Sequence, residues 1–341
     1  MTLPPWLKAI SAPITSIIVT LALGFVLVSF SSDSPLLAYR ELLFANFDSL
    51  RAFGLFLNRA TPLVLIAVGI VFSFRAGVFN VGGEGQLFAG AITATAVGLA
   101  LAALPAVVLM PVTIAAGVIG GAFLGWIPAV LKVHLKVDEV VTTLMLNTIV
   151  LLLTSFLVNQ VMRDPTSYGA VSHLLPEKIW LPPMPFVPRA TSAFLVAVVV
   201  AVLGWLVLFR TVWGAELRAA GTNLRHAEAI GVPAGRRVIQ AMLISGGLAG
   251  LAGALYVLGI GHRFEQNFSP EYGLVALTVA LLARLHPLGA LATALFYALM
   301  LNGAAYMQIA TAVPRSLVDL LTGILVLLMT ARMPRLKRAS Q

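Results

Sequence analysis

The chain has 341 residues, of which 60% are hydrophobic and only 10% charged, against roughly 45–50% apolar content in an ordinary soluble domain, so a water-soluble globular protein is excluded. Lysine and arginine outnumber the acids, 22 to 13, for a net charge of +9; in a membrane protein this excess marks the cytoplasmic face, and nucleic acid is set aside as a partner. The absence of cysteine removes disulfides, thiolate metal sites and thiol nucleophiles together.

Two structures satisfy every backbone group inside lipid, helices and closed barrels. The apolar runs here are continuous and do not alternate with a period of two, which excludes the barrel. The fold class is therefore all-α, a polytopic transmembrane helical bundle in membrane lipid. At about 20 apolar residues per crossing, windows at 13–30, 60–78, 86–104, 106–131, 140–161, 191–209, 238–260, 272–285, 288–308 and 315–331 predict about ten spans. These belong to one transmembrane domain over residues 1–341. The first run follows Lys8; SFSSDS after it lacks a small-x-small cleavage pattern, so it reads as a retained anchor. With the N-terminus inside, most basic residues, among them Arg75, Lys132, Arg218, Arg236 and Arg335, fall on the cytoplasmic side, and both termini are cytoplasmic.

The stretch FNVGGEGQLFAG, Phe79 to Gly90, interrupts two apolar runs with a carboxylate, an asparagine and several glycines. A carboxylate at mid-bilayer costs on the order of 3 kcal/mol and is tolerated only facing protein or water, so Glu84 does not face lipid. Two compatible readings stand. In one, Asn80 caps a helix beginning near Gly83, with Glu84 in its favoured first turn. In the other, the turn is a helix break lining a transport path.

Gly117, Gly121 and Gly125, and again Gly246 and Gly250, recur every four residues, a spacing that lets helix backbones approach closely in lipid; packing within the chain is preferred over a dimer seam. In the fifth span Thr143, Asn147 and Thr154 share one helix face, and in the ninth so do Asn302 and Tyr306. Interhelical hydrogen bonding is the plain reading of both faces. The functional one is a polar passage for an uncharged solute, because the span centres carry almost no ionisable side chain. The outer segment from Arg163 to Ala190, with Tyr168, Trp180 and Phe186, is either a landing surface for a partner or an aromatic interface belt.

The cytoplasmic loop from Trp213 to Val238 carries helix stops at Gly221 and Gly231, a start at Asn223, and Pro233, which predicts one short amphipathic helix over about 223–230. In the eighth span Arg284, His286 and Pro287 interrupt the apolar run, as a hairpin or as one broken helix.

Four segments, FNVGGEGQLFAGA, DEVVTTLMLNTIVLLL, AAGTNLRHAEAIGV followed by SGGLAGLAGALYVLG, and LLARLHPLGALATALFYALMLNG, resemble in order the permeases of bacterial ABC importers. The resemblance is to the branched-chain amino acid, ribose and nucleoside group, in its nucleoside and simple-sugar branch, and covers about residues 55–330. It implies an ABC ATP-binding subunit on the cytoplasmic side, a second permease subunit, identical or related, and an extracytoplasmic solute-binding lipoprotein. The loop from Ala219 to Gly231 is similar to the family's coupling element, with Asn223, Ala227 and Gly231 matching its pattern; it differs from the EAA signature of other importers. The FNVGGEGQ and DEVVTTLMLN forms lean toward purine nucleosides, with pentoses and hexoses next.

The chain has no G-x-x-x-x-G-K-[ST] phosphate loop, so the expectation is a non-enzymatic transport subunit without cofactor, metal or catalytic residue, its ATP hydrolysed by a partner. The expected path residues are Asn80, Glu84, Thr143, Asn147, Asn302 and Tyr306. An ion-coupled carrier, relaying charge through intramembrane acids, has only Glu84 and Asp319 to work with. An intramembrane hydrolase lacks any HExxH or GxSG motif.

Overall fold

A computed structural model of the chain describes residues 34–311 without interruption, together with 22, 24–26, 28–30, 313, 316, 317, 320 and 323. Most of the tenth predicted span and of the first, together with Asp319 and the basic residues of both tails, lie outside the described residues. All regular elements among those described are helical, apart from isolated bridges such as Val171 with Glu265. Six of the helices are long and apolar enough to cross a membrane.

In chain order, α1 is Pro35–Phe44, α2 Leu50–Arg75, α3 Gly83–Ala100 and α4 Ala106–Leu135. Next come α5, Glu139–Phe156, continued by a π turn over Leu157–Val161, and α6, Ala193–Arg210. The loop after α6 holds α7, Val212–Thr222, and α8, Leu224–Ala229. Then follow α9, Ala234–Tyr256, with its π turn Val257–Gly261, α10, Tyr272–Leu282, and α11, Pro287–Thr311.

The predicted spans between residues 60 and 308 each find a helix, with corrections. Helix α2 starts at Leu50, so Arg51 and Arg59 lie inside it rather than in a preceding loop. Helix α1, unforeseen, has Pro35 in its first turn, a position where the missing N–H costs nothing. Helix α3 is not among the six long apolar helices, because Glu84 and Gln86 stand in its first turn.

The chain forms two compact units, Leu57–Leu295 and a smaller one of Met1–Phe56 with Phe296–Gln341. In the smaller unit Ala38 and Leu42 of α1 pack with Met300, Ala304 and Met307 of α11. Gly303 lets α1 press close, since a Cβ there would stand 2.7 Å from the Leu42 carbonyl carbon.

In the larger unit α3, α4 and α9 are bound by glycine. A Cβ on Gly121 would come within 2.6 Å of Gly250 Cα, and one on Gly246 within 3.2 Å of Gly125 Cα, so both glycine rows serve packing within the chain. The hydrophobic window of α2 is 89% buried, whereas those of α4, α5 and α6 are 22%, 17% and 28% buried. A helix apolar all round belongs to a core or to lipid; α2 takes the first place and the other three leave apolar faces for lipid. The eighth and ninth predicted spans form a hairpin and not one broken helix: Thr293 of α11 donates to the Val279 carbonyl of α10 at 3.1 Å. The corner between them is made by Arg284 and Leu285, at φ 52° and 53°.

The segment from Arg163 to Ala190 folds onto the end of α9. Ser172 N donates to Phe264 O at 2.9 Å, Leu175 N to His262 O at 2.8 Å and Leu181 N to Leu258 O at 2.9 Å. Trp180 stacks on His262 with ring centroids 3.9 Å apart, while Tyr168 and Phe186 are fully exposed.

Candidate functional site

Helix α2 stops at Arg75 and Gly77 turns the chain at φ 79°, leaving residues 76–82 non-helical until α3 begins at Gly83. Non-helical backbone in a bilayer must have every polar group paired, and the side chains around this break supply the partners. Asn147, one turn beyond Thr143 on α5, donates to Val81 O at 3.0 Å and accepts from Gly85 N at 2.9 Å. Glu139, in the first turn of α5, accepts from Phe79 N at 3.4 Å and pairs with Lys132 of α4 at 2.5 Å.

Asn80 is fully buried. Its amide donates to Gln86 Oε1 at 2.9 Å and Ser245 Oγ at 2.8 Å, and its oxygen accepts from Gly82 N at 2.9 Å. This corrects the capping expectation. The N-cap of α3 is Gly82, with no side-chain cap; Asn80 instead closes a turn onto the residue two places on, as Asx side chains do.

Glu84 is in the first turn as expected, yet its carboxylate reaches a different helix. It accepts from Gly273 N, in the first turn of α10, at 2.6 Å. Gly273 has no alternative: a Cβ there would stand 2.7 Å from Glu84 Cα. The starts of two helices thus meet at one carboxylate, the charge a helix N-terminus favours.

Asn80, Thr143 and Asn147 thereby gather around Gly82 and Gly85, whereas the Glu84 carboxylate turns to α10. Gly82, Gly85, Gln86, Leu124, Thr143, Leu146 and Asn147 line a crevice there that is too narrow to hold a water molecule. Thr143 itself turns back to Glu139 O at 2.7 Å, and Thr154, further along α5, bonds only to Leu151 O. Asn302 belongs to the smaller unit, where it donates to Asn46 Oδ1 at 2.6 Å while Asn46 donates to Leu299 O at 3.1 Å; Tyr306, one turn on, is half-buried. Sequence reading missed Gln86, Glu139, Ser245, Gly273 and Asn46. The first two stand inside quoted motifs, where a second polar residue beside the one noticed is the signal that was there to be used.

In the loop between α6 and α9, Asn223 caps α8 by accepting from His226 N at 3.1 Å, and Gly231 ends it at φ 84°, both as predicted. Helix α7 is additional, capped by Thr211, which accepts from Gly214 N at 3.0 Å. It runs one residue past Gly221, where a Cβ would stand 2.8 Å from Gly77 N. Ala227 is enclosed by Ala220, Ala234, half-buried Ala219 and Val232, so it is a core residue of the loop and not part of its outer surface. That surface is formed by Asn223, Leu224, Arg225, His226, Glu228, Ile230 and Gly231. Ala227→Phe overpacks this small core, which costs about 1–3 kcal/mol. The loop is expected to become protease-sensitive while the rest of the chain stays inserted, as limited proteolysis in membranes would show.

Residues 53–330 match the family described as branched-chain amino acid transport system / permease component. The chain is 31% identical over 338 residues to the glucose ABC transporter permease protein TsgB13 of Haloferax volcanii, covering 96% of this chain and 88% of that one. It is 31% identical over 328 residues to the guanosine ABC transporter permease protein NupP of Bacillus subtilis, covering 94% and 93%. With the nucleoside ABC transporter permease protein NupB of Lactococcus lactis it shares 28% over 307 residues, 87% and 84% of the two chains. No solved structure matches the chain. A family match over most of the length, joined to a bundle of long apolar helices, makes this a multi-pass protein of the cell membrane that belongs to the branched-chain amino acid transport system permease component family.

Proposed function

We propose that the chain is the membrane-spanning permease of an ATP-driven importer that moves a small neutral solute, a purine nucleoside first. The observation that carries this reading is the near full-length similarity to a guanosine permease. A simple sugar is the second reading, favoured by equal identity to a glucose permease. In this proposal the whole of residues 1–341 is one permease domain of about ten spans with both termini in the cytoplasm. A partner ABC subunit hydrolyses the ATP, a second permease chain completes the pathway, a lipoprotein delivers the solute, and no cofactor resides in the chain.

The mechanism is alternating access. Closure of the ATP-binding subunits moves the loop through Ala219, Asn223, Ala227 and Gly231. The helices carrying Asn80, Glu84, Thr143, Asn147, Asn302 and Tyr306 then shift against one another and open a polar passage. Neutral amides and hydroxyls suit a solute rich in hydrogen-bonding groups and without charge, since each can donate or accept.

The test is uptake of labelled guanosine and labelled glucose by cells carrying the complete transporter, with ATP depleted and the proton gradient kept. Uptake of one solute is expected to cease under depletion. Persistence would favour an ion-coupled carrier and remove the importer reading.

A further inference from the structure

Helix α10 is only 11 residues long, about 16 Å, and it is held at both ends by residues that flank the break. At its start Gly273 N is bound by Glu84. Past its end Arg75 donates through Nε to Leu285 O at 2.9 Å and through Nη2 to Arg284 O at 3.2 Å. Residues 76–82, at roughly 3.3 Å each when extended, have the reach to run the length of α10 between these two anchors.

Arg75 has a second engagement. Its guanidinium lies over the Phe209 ring, 5.6 Å from the centroid, and so does that of Arg218 from α7, at 5.0 Å. The His286 imidazole stacks on the same ring at 5.1 Å. Arg218 also donates to Leu208 O, at the end of α6. Among the described residues no carboxylate pairs with either arginine; the ends of α6 and α10 face them instead, the polarity that helix C-termini offer to cations. Burial first, and then the Arg75 charge, holds His286 below its ordinary pKa. The ring is therefore neutral near pH 7, and its Nδ1 accepts from Gly289 N at 3.3 Å at the start of α11. One aromatic ring thus collects α7, the end of α2 and the α10–α11 corner. A Cβ on Gly77 would stand 3.0 Å from Gly221 Cα, which brings α7 against the break as well.

We propose that Arg75 is a positioning residue that carries a displacement of α7, through Phe209, to α10, so that the cytoplasmic loop and the Glu84 contact move together. The proposal rests on the importer reading and adds the connection between its two moving parts. Arginine is required because a planar fork reaches two carbonyls while keeping its face on a ring, which an ammonium does not do.

The experiment reconstitutes the complete transporter in vesicles and measures solute moved per ATP hydrolysed for wild type, Arg75→Gln, Arg75→Lys, Phe209→Leu and the double variant Arg75→Gln/Phe209→Leu. Each single variant is expected to lower that ratio by about tenfold, within the usual range for coupling between sites, with hydrolysis retained, and the double variant to be no worse than either single. A ratio equal to wild type, full rescue by lysine, or hydrolysis lost in step with transport overturns the proposal. If Arg75→Gln fails to insert, Phe209→Leu decides the matter, because it leaves both guanidinium–carbonyl bonds in place. Wild-type vesicles that move no solute on addition of ATP would instead defeat the importer reading itself.

Discussion

Glu84→Ala is expected to abolish uptake, while Glu84→Gln leaves the chain inserted and transports at a rate well below wild type. The ordering follows from what the carboxylate holds. It accepts from Gly273 N at 2.6 Å and is itself almost wholly buried. Hydrogen bonds to a charged acceptor contribute about 1.5–3 kcal/mol, and neutral ones about 0.5–1.5. Glutamine keeps an acceptor oxygen of the same reach but loses the charge, so the contact at the start of α10 weakens without disappearing. Alanine leaves the Gly273 N–H unpaired in a site that water does not reach, which adds about 1–3 kcal/mol. Uptake in reconstituted vesicles and thermal unfolding in detergent, measured on both variants, check the ordering. Wild-type rates in Glu84→Gln with unchanged stability in Glu84→Ala would mean that the carboxylate clamps nothing of consequence.

Asn147→Ala is expected to have the larger effect on stability. The one amide serves Val81 O and Gly85 N together, and removing it leaves two backbone groups of the break without partners. At about 1–3 kcal/mol for each, the loss is roughly 2–6 kcal/mol, a large fraction of what holds an ordinary domain folded. Asn147→Asp is not a rescue: it presents an oxygen to the Val81 carbonyl and a charge to an apolar surround. Both variants are expected to unfold at lower temperature than Glu84→Gln, with Asn147→Asp no more stable than Asn147→Ala. A melting point within error of wild type for either would show that the break closes on itself without help from α5.

The long helices were legible in the sequence because hydropathy alone marks them, and the caps at Asn223 and Gly231 because their signals are local. The pairing of FNVGGEGQ with DEVVTTLMLN was not. Asn147 and Val81 are far apart in the chain, and nothing in either stretch names the other. The same distance hid the partner of Glu84, so a first-turn carboxylate was read as serving the dipole of its own helix when it also binds the start of another. Helix α7 went unseen because WGAELRAAGT buries only Gly214, Leu217 and Ala220, too short a period to stand out. Helix α1 was passed over for want of an apolar stretch long enough to cross lipid. The glycine rows carried two meanings that spacing cannot separate, and only the approach of α4 to α9 distinguishes them.

The shortness of α10 bears on how the protein is made. A segment of 11 residues whose first N–H groups rely on Ser269 and Glu84 as acceptors is expected to integrate poorly on its own, since hydrocarbon offers those groups no acceptor. It is expected to enter together with α11 and to lock only once α3 is in place to receive it. A nascent chain halted before α11 emerges from the ribosome is expected to leave α10 outside the bilayer.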